Sequence, residues 1–374
     1  MKKVVVGMSG GVDSSVTAFL LKEQGYDVKG VTMQTWEVGA VHGLALINDA
    51  KKVAEALDIP HAIIDYNDVF KKEVIDYFVA EYLNGRTPNP CTVCNRFVKW
   101  ESLLKYCHDI GADYVATGHY AQVRRISLIS KTSSAKRVSP VNKTPFDANP
   151  PARYTLKKSS TTAKDQTYAL YNLTQEQLSK TLMPLGEYTK DEVRQIARHK
   201  NIPVADKPDS QEICFIPDDD YAGFITRNAA SSNLLVPPPG NFVTTTGEIL
   251  GIHKGITHYT IGQRKGLGLA MGHHVFVTEI RPATNEVVIG ENEDVFSAVL
   301  KCNRLNFMGM ADLPIPRKVT AKIRYAHQGE KAEIKMISAD EILCTFENPV
   351  RAITPGQAVV FYEGDYVLGG GTIC

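Results

Sequence analysis

The stretch Val4-Val5-Val6-Gly7-Met8-Ser9-Gly10-Gly11-Val12-Asp13-Ser14-Ser15 constrains the fold more than any other part of the chain. Three consecutive valines make a short buried strand, the glycines permit tight backbone turns, and Asp13 and Ser14 open a helix that stops at Gly25. A strand passing at once into a helix calls for a parallel neighbour and a covering layer of helices. The turn also offers backbone N–H groups and a helix N-terminus to an anion, with the hydroxyls of Ser9, Ser14 and Ser15 as further donors. No Gly-Lys-Ser/Thr follows, so this is not the lysine-containing phosphate loop, and the glycine spacing is not that of a dinucleotide fold.

Strand–helix alternation continues from there. Val28 to Met33, Ala62 to Ile64 and Tyr114 to Ala116 read as strands, the last leading into Thr117-Gly118-His119-Tyr120. Asn48 is positioned to cap a helix with Ala50, Val53, Ala54 and Leu57 on one face. Phe70, Val74, Tyr77, Phe78 and Tyr82 stripe a further helix, and Phe97, Trp100, Leu104 and Cys107 another. The pattern predicts an α/β domain over 1–216, a doubly wound parallel sheet, with a mobile basic insertion at about 124–152. Pro217 and the run Pro237-Pro238-Pro239-Gly240 mark breaks, predicting a small connecting domain over 217–274. Short β-rich runs after Val275 predict a C-terminal antiparallel β-barrel over 275–374.

The 374 residues are 43% hydrophobic and 22% charged, an ordinary globular balance, and the formal charge of +1 gives no global pull on nucleic acid. RNA binding would therefore need local patches. No apolar run spans a bilayer and the N-terminus lacks a signal peptide, so a cytoplasmic location without membrane partners is expected. Seven cysteines are too few and too scattered for a disulfide scaffold; only Cys91 and Cys94 form a close pair. They lie in Asn89-Pro90-Cys91-Thr92-Val93-Cys94-Asn95, read as a rigid loop before a helix whose backbone donors would depress a thiol pKa.

The Ser-Gly-Gly-x-Asp-Ser string resembles the pyrophosphatase-type loop, whose enzymes cleave ATP to AMP and pyrophosphate and adenylate an oxygen of their substrate. With Gly85-Arg86-Thr87-Pro88-Asn89-Pro90, Thr117-Gly118-His119-Tyr120, Lys164-Asp165-Gln166, Ile213-Cys214-Phe215-Ile216, Gln263-Arg264-Lys265-Gly266-Leu267-Gly268 and Thr354-Pro355-Gly356-Gln357, the chain resembles the bacterial tRNA-specific 2-thiouridylase family nearly end to end. The resemblance implies ATP at Gly7, Met8, Ser9, Gly10, Gly11, Val12, Asp13, Ser14 and Gly118, with Asp13 helping to hold Mg²⁺. Met33 would pack on adenine or, equally, belong to the core.

It further implies Cys214 as the persulfide carrier and Cys94 as the nucleophile that resolves it, after ATP has turned the C2 oxygen of uridine into a good leaving group. The wobble uridine of tRNAs for Lys, Glu and Gln would be the target, and a cysteine desulfurase or relay protein the sulfur donor. Asn89, Pro90, Cys91, His119, Lys164, Asp165, Gln166, Arg324, Tyr325 and Gln357 would meet the tRNA or its base. Many family members carry aspartate where this chain has Cys91. The resulting Cys-x-x-Cys leaves a second arrangement open, with Cys91, Cys94 and Cys214 as three ligands of a [4Fe-4S] cluster. Rival readings are another adenylating enzyme, such as an amidotransferase or tRNA lysidine synthetase, and a non-catalytic, ATP-regulated RNA-binding protein.

Overall fold

A computed structural model describes residues 1–35, 40–126, 153–208 and 213–374. The first half contributes strands Lys3–Gly7 (β1), Asp27–Gln34 (β2), His61–Asp65 (β3), Tyr114–Ala116 (β4), Ala121–Ile126 (β5), Arg153–Lys158 (β6) and Thr181–Leu182 (β7). Five of them form the expected parallel sheet in the order β3-β2-β1-β4-β7. Alternate side chains of β1 serve two cores. Val4 and Val6 pack with Val12, Val16 and Leu185, while Val5 packs with Trp100, Leu103 and Val115. Connections leave β1 towards β2 on one side and β4 stands on the other, so the loop after β1 lies where the strand order reverses. Open α/β sheets bind their ligands there.

Two strand-flanking features differ from the sequence expectation. The helix expected to start near Asn48 runs Ala40–Ala56, so Asn48 lies inside it. The basic segment expected over 124–152 begins as strand: Arg124, Arg125 and Ile126 complete β5 and pair with β6, and 127–152 lie outside the described residues.

The helix carrying Cys91 and Cys94 is unusual. Pro90–Val93 is α-helical, Cys94–Trp100 is π-helical, and Glu101–Asp109 is α-helical again. Each π turn takes in an extra residue, rotating everything after it. The α-helical stripe expected through Phe97, Trp100, Leu104 and Cys107 therefore fails in part. Phe97 is 38% exposed, and Val98 and Leu103 are fully buried instead.

Further strands are Gly240–Thr244 (β8), Ile249–His253 (β9), Phe276–Arg281 (β10), Glu286–Gly290 (β11), Phe296–Phe307 (β12), Arg317–Lys322 (β13), Glu330–Ser338 (β14), Glu341–Arg351 (β15), Ala358–Glu363 (β16) and Tyr366–Ile373 (β17). Packing and strand pairing run across the expected boundaries at 216/217 and 274/275. Helix Tyr221–Ser231 buries Phe224, Ile225 and Ala229 against Phe78 and Phe215, and so packs with the first domain. Strands β10 and β11, expected in the barrel, join β8 and β9 in one four-stranded sheet, because β11 hydrogen-bonds to β8. The barrel consists of β12 to β17, closed by pairing of β12 with both β15 and β17. The β5–β6 hairpin adds to its edge through β17, and Met308, Val360, Tyr362 and Val367 of the barrel share a core with β1 and β4. Barrel and parallel sheet are thus packed as one body.

Candidate active site

Beyond Gly7 the chain turns through Gly10, at φ 70°, where a Cβ would stand 2.3 Å from the Leu46 carbonyl oxygen. Only glycine fits there. Helix Val12–Glu23 follows, its N-cap Gly11 providing no side-chain cap. The first-turn N–H groups are left for a ligand, which fits a polyphosphate. Two of the serine hydroxyls are engaged within the loop. Ser15 Oγ donates to the Gly11 carbonyl at 2.8 Å, and Ser14 Oγ accepts from Ser9 N–H at 3.1 Å and lies 3.2 Å from the same carbonyl. Both side chains are buried and brace the loop. Gly118 closes it from the β4 side; a Cβ there would fall 2.7 Å from the Asp13 carbonyl carbon and the Ser14 nitrogen. Met33 sits at the far end of β2, half-buried.

Asp13 is held from two directions. Lys190 Nζ lies 2.8 and 2.9 Å from its two carboxylate oxygens, and Tyr120 O–H donates to one of them at 2.8 Å. Lys207 reaches the same loop, donating to the Gly10 carbonyl at 3.0 Å and to Asp49 at 2.7 Å. Neither lysine stands out in the sequence. Each meets the loop across more than 150 positions of chain, as the separations of 177 and 197 residues show.

Cys91 is exposed, while Cys94 is 9% exposed among Phe70, Val74, Phe78, Val98 and Phe215. Burial pushes the Cys94 thiol up to about 12, opposite to the depressed value expected of a loop before a helix. The cause is position: Cys94 lies at the junction of the α and π turns, not ahead of the helix. Cys214 occupies the turn Ile213–Ile216, closed by a 2.9 Å bond from Ile216 N–H to the Ile213 carbonyl. The residue is exposed, yet protein packed around its sulfur raises that thiol too, with Cys91 adding to the rise. Cys94 senses both Cys214 and Cys91, so the three thiols share one neighbourhood. Lys99, which no motif of the sequence singles out, opposes the rise at Cys94 and at Cys214. Among the described residues no three His, Cys, Asp or Glu side chains are arranged to hold a metal ion, so the three cysteines as placed do not fit a cluster.

Several residues expected to face tRNA are turned inward. His119 packs on Trp100 with ring centroids 5.5 Å apart and its Nδ1 2.9 Å from Thr117 Oγ1. Burial first, and then Lys99, push its pKa down to about 3, which keeps it neutral. Asp165 is 8% exposed, its carboxylate accepting from Ser159 N–H and Thr167 O–H. Gln166 accepts from Tyr120 N–H at 2.9 Å and so supports the tyrosine that holds Asp13. Arg324 donates to the Arg351 carbonyl at 2.8 Å. Tyr325, 47% exposed, lies within electrostatic reach of Cys91, Lys164 and Asp165.

Two of the singled-out motifs dock on each other. Thr87 N–H donates to the Pro355 carbonyl at 2.9 Å, and Gln357 Nε2 donates to the Thr87 carbonyl at 3.1 Å. Thr87 Oγ1 also lies 3.2 Å from Thr260 Oγ1 of the middle sheet's connecting loop. Asn89 caps the cysteine helix, accepting from Cys91 N–H at 3.1 Å, and Pro90 is its first residue. Beside this three-way junction is a cavity of about 570 Å³, with Thr87, Ile213, Tyr221, His258, Gln263 and Gln357 in its wall.

Family models match along almost the whole chain: a tRNA methyl transferase HUP domain over residues 2–218, a tRNA methyl transferase PRC-barrel domain over 232–291 and an aminomethyltransferase beta-barrel domain over 297–373. A protein of Lachnoclostridium phytofermentans described as tRNA-specific 2-thiouridylase MnmA is 57% identical over 382 residues, covering 100% of this chain and 99% of its own. The chain belongs to the tRNA-specific 2-thiouridylase family. Two more members with the same description, from Clostridium perfringens and Carboxydothermus hydrogenoformans, are 50% and 49% identical, covering 100% of this chain and 98% and 97% of their own. Among solved structures, the U34-tRNA thiolase NcsA from Methanococcus maripaludis with its [4Fe-4S] cluster is 17% identical. It covers 62% of this chain and 67% of its own at a TM-score of 0.35, a likeness too low to carry a cluster over to this family member. No described helix is long and apolar enough to cross a membrane.

Proposed function

We propose that this chain is an ATP-dependent tRNA-uridine 2-sulfurtransferase acting in the cytoplasm on the wobble uridine of tRNAs for Lys, Glu and Gln. The observation that carries the reading is one π-helical stretch that joins two half-sites. Cys94 opens it and Trp100 ends it, and His119, next to Gly118 of the nucleotide cradle, packs on Trp100 with ring centroids 5.5 Å apart. Nucleotide and sulfur chemistry then meet at one centre.

ATP bound at the loop, with Mg²⁺ beside Asp13, loses pyrophosphate as the uridine O2 bonds to the α-phosphorus. The terminal sulfur of a Cys214 persulfide, loaded by a desulfurase or relay protein, bonds to C2. Cys94 attacks the Cys214 sulfur, the S–S bond of the persulfide breaks, its electron pair stays with the sulfur on C2, and AMP departs with O2. The products are 2-thiouridine, AMP and a Cys94–Cys214 disulfide for an outside reductant. Release of sulfide from Cys214 before attack on C2 is the other route to the same product. Tyr325 and the Thr87–Gln357 junction offer a stacking ring and hydrogen-bonding groups to an everted base and its neighbours. A cluster on Cys91, Cys94 and Cys214 is disfavoured by the absence of a metal-holding group among the described residues.

The test is a thiolation assay with tRNA, MgATP and a persulfide donor, reading thiolated nucleoside and AMP together. Wild-type protein and Cys91→Ser form both products, Cys214→Ser and Cys94→Ser yield no thiolated base, and AMP without thiolated nucleoside in every case would point to a different adenylating enzyme.

A further inference from the structure

Between Gly7 and Ser15 the nucleotide loop carries one ionised side chain, the carboxylate of Asp13. A polyphosphate entering the cradle meets a charge of its own sign. Lys190 offsets it. Its ammonium lies 2.8 and 2.9 Å from the two Asp13 oxygens, and its side chain is only 12% exposed against 31% for the carboxylate. Lys190 is the first residue of helix Lys190–His199, whose N-cap Thr189 forms a reciprocal capping box with Glu192. The backbone at Lys190 is fixed by that cap, while its four-carbon stem gives the ammonium reach beyond the Asp13 carboxylate. Lys207, the other lysine at the loop, is committed to the Gly10 carbonyl and Asp49.

We propose that Lys190 is a phosphate ligand of this ATP site that works by exchange. It neutralises Asp13 in the nucleotide-free enzyme; when MgATP enters, it releases Asp13 to the accompanying metal and passes to the phosphate oxygens of the pyrophosphate that will leave. One cation replaces another on the carboxylate, and no covalent bond changes. Asp13 stays paired throughout, and positive charge arrives where the departing pyrophosphate gathers negative charge. Tyr120, held by Gln166, keeps the carboxylate in place during the exchange. The inference rests on the ATP-dependent reading above.

An ATP derivative acylated on its terminal phosphate tests it on the wild-type chain. A lysine amine beside that phosphate attacks the acyl carbon, an amide forms and ATP leaves, so peptide mass spectrometry finds the lysine. Lys190 is expected to be acylated, with labelling suppressed by excess MgATP. In parallel, calorimetry without tRNA is expected to show MgATP binding weakened about tenfold or more in Lys190→Met, the size expected for one lost charge-assisted contact. Affinity for tRNA stays at the wild-type level, and Arg198→Ala, which removes an exposed ion pair with Asp206 from the same helix, binds MgATP normally. Lys190 left unlabelled while other lysines react competitively, or a folded Lys190→Met that binds MgATP as tightly as wild type, overturns the exchange. If Lys190→Met does not fold, the labelling of wild-type protein decides alone. A wild-type chain that binds no MgATP sinks the ATP reading with it; one that binds and thiolates while Lys190 proves irrelevant sinks the exchange only.

Discussion

At Cys94 two demands compete. The nucleophilic role proposed for it needs the thiolate, yet this sulfur sits in an apolar cluster that raises its pKa from 9.0 to about 12. Because the folded value exceeds the unfolded one, the neutral thiol stabilises the fold fully below the ordinary thiol value, and that contribution is lost as pH rises through about 12. Reactivity follows the same sign. Iodoacetamide at about pH 8 should modify exposed Cys91 well ahead of Cys94, whose rate should still be climbing at the highest pH the fold survives. Peptide mapping of a time course checks this, and equal early labelling of both would contradict the burial. The sequence could not show it: Cys-x-x-Cys after Asn-Pro reads as a helix-start motif with activated thiols. Asn89 does cap and Pro90 does start the helix, but the apolar partners of Cys94 come from Phe70 to Phe78 and from Phe215.

Among the elements, the π-helical stretch Cys94–Trp100 does what no α-helix of this sequence would do. In an α-helix the fifth residue on from Cys94 points well away from it, whereas i→i+5 bonding brings Lys99 round to the Cys94 side. Asn95 Oδ1 holds the Lys99 ammonium at 3.0 Å, and Asn95 Nδ2 is anchored in turn on the Ala169 carbonyl at 3.0 Å. Lys99→Met should therefore move the Cys94 alkylation profile to still higher pH, since the Lys99 charge is what holds that pKa down, and Lys99→Arg should keep the wild-type profile. Stopped-time alkylation of the three proteins measures it, and an unchanged profile in Lys99→Met would place Lys99 outside the thiol centre. Elements with an unbroken period are legible in the sequence: β1 from its valines and the helix after it from Gly25. A π turn leaves no mark in a pattern read at 3.6 residues per turn, and so the burial of Val98 and Leu103 is not.

For the whole molecule, three structural bodies meet at Thr87. The loop from Gly85 to Pro90 receives the barrel turn Thr354–Gln357 and touches Thr260 of the middle region. Gly356 has φ 91°, and a Cβ on it would lie 3.1 Å from Thr87 backbone atoms. Gly356→Ala should cost about 1–3 kcal/mol from the left-handed backbone alone and loosen the barrel from the cysteine loop. Urea denaturation should show lower stability and filter binding a weaker hold on tRNA, while MgATP affinity remains as in wild type; unchanged tRNA affinity would mean that the junction does not organise the RNA site. Taken separately, the motifs around Thr87 and Gln357 are visible in the sequence. Their contact is not, being set by a separation of 270 residues. The same holds for Lys190 on Asp13, and for strands β10 and β11, whose β-rich spacing looks like barrel until β11 is seen to pair with β8.

The thiol chemistry is most directly read from one turnover. Persulfide-loaded enzyme, prepared without oxygen or free reductant, is mixed with tRNA and MgATP, quenched with acid and mapped by mass spectrometry without reduction. Sulfur transfer from a Cys214 persulfide resolved by Cys94 predicts a Cys94–Cys214 disulfide formed in step with 2-thiouridine. Thiolated tRNA produced while Cys94 and Cys214 remain free thiols, or with iron bound to both, would contradict it.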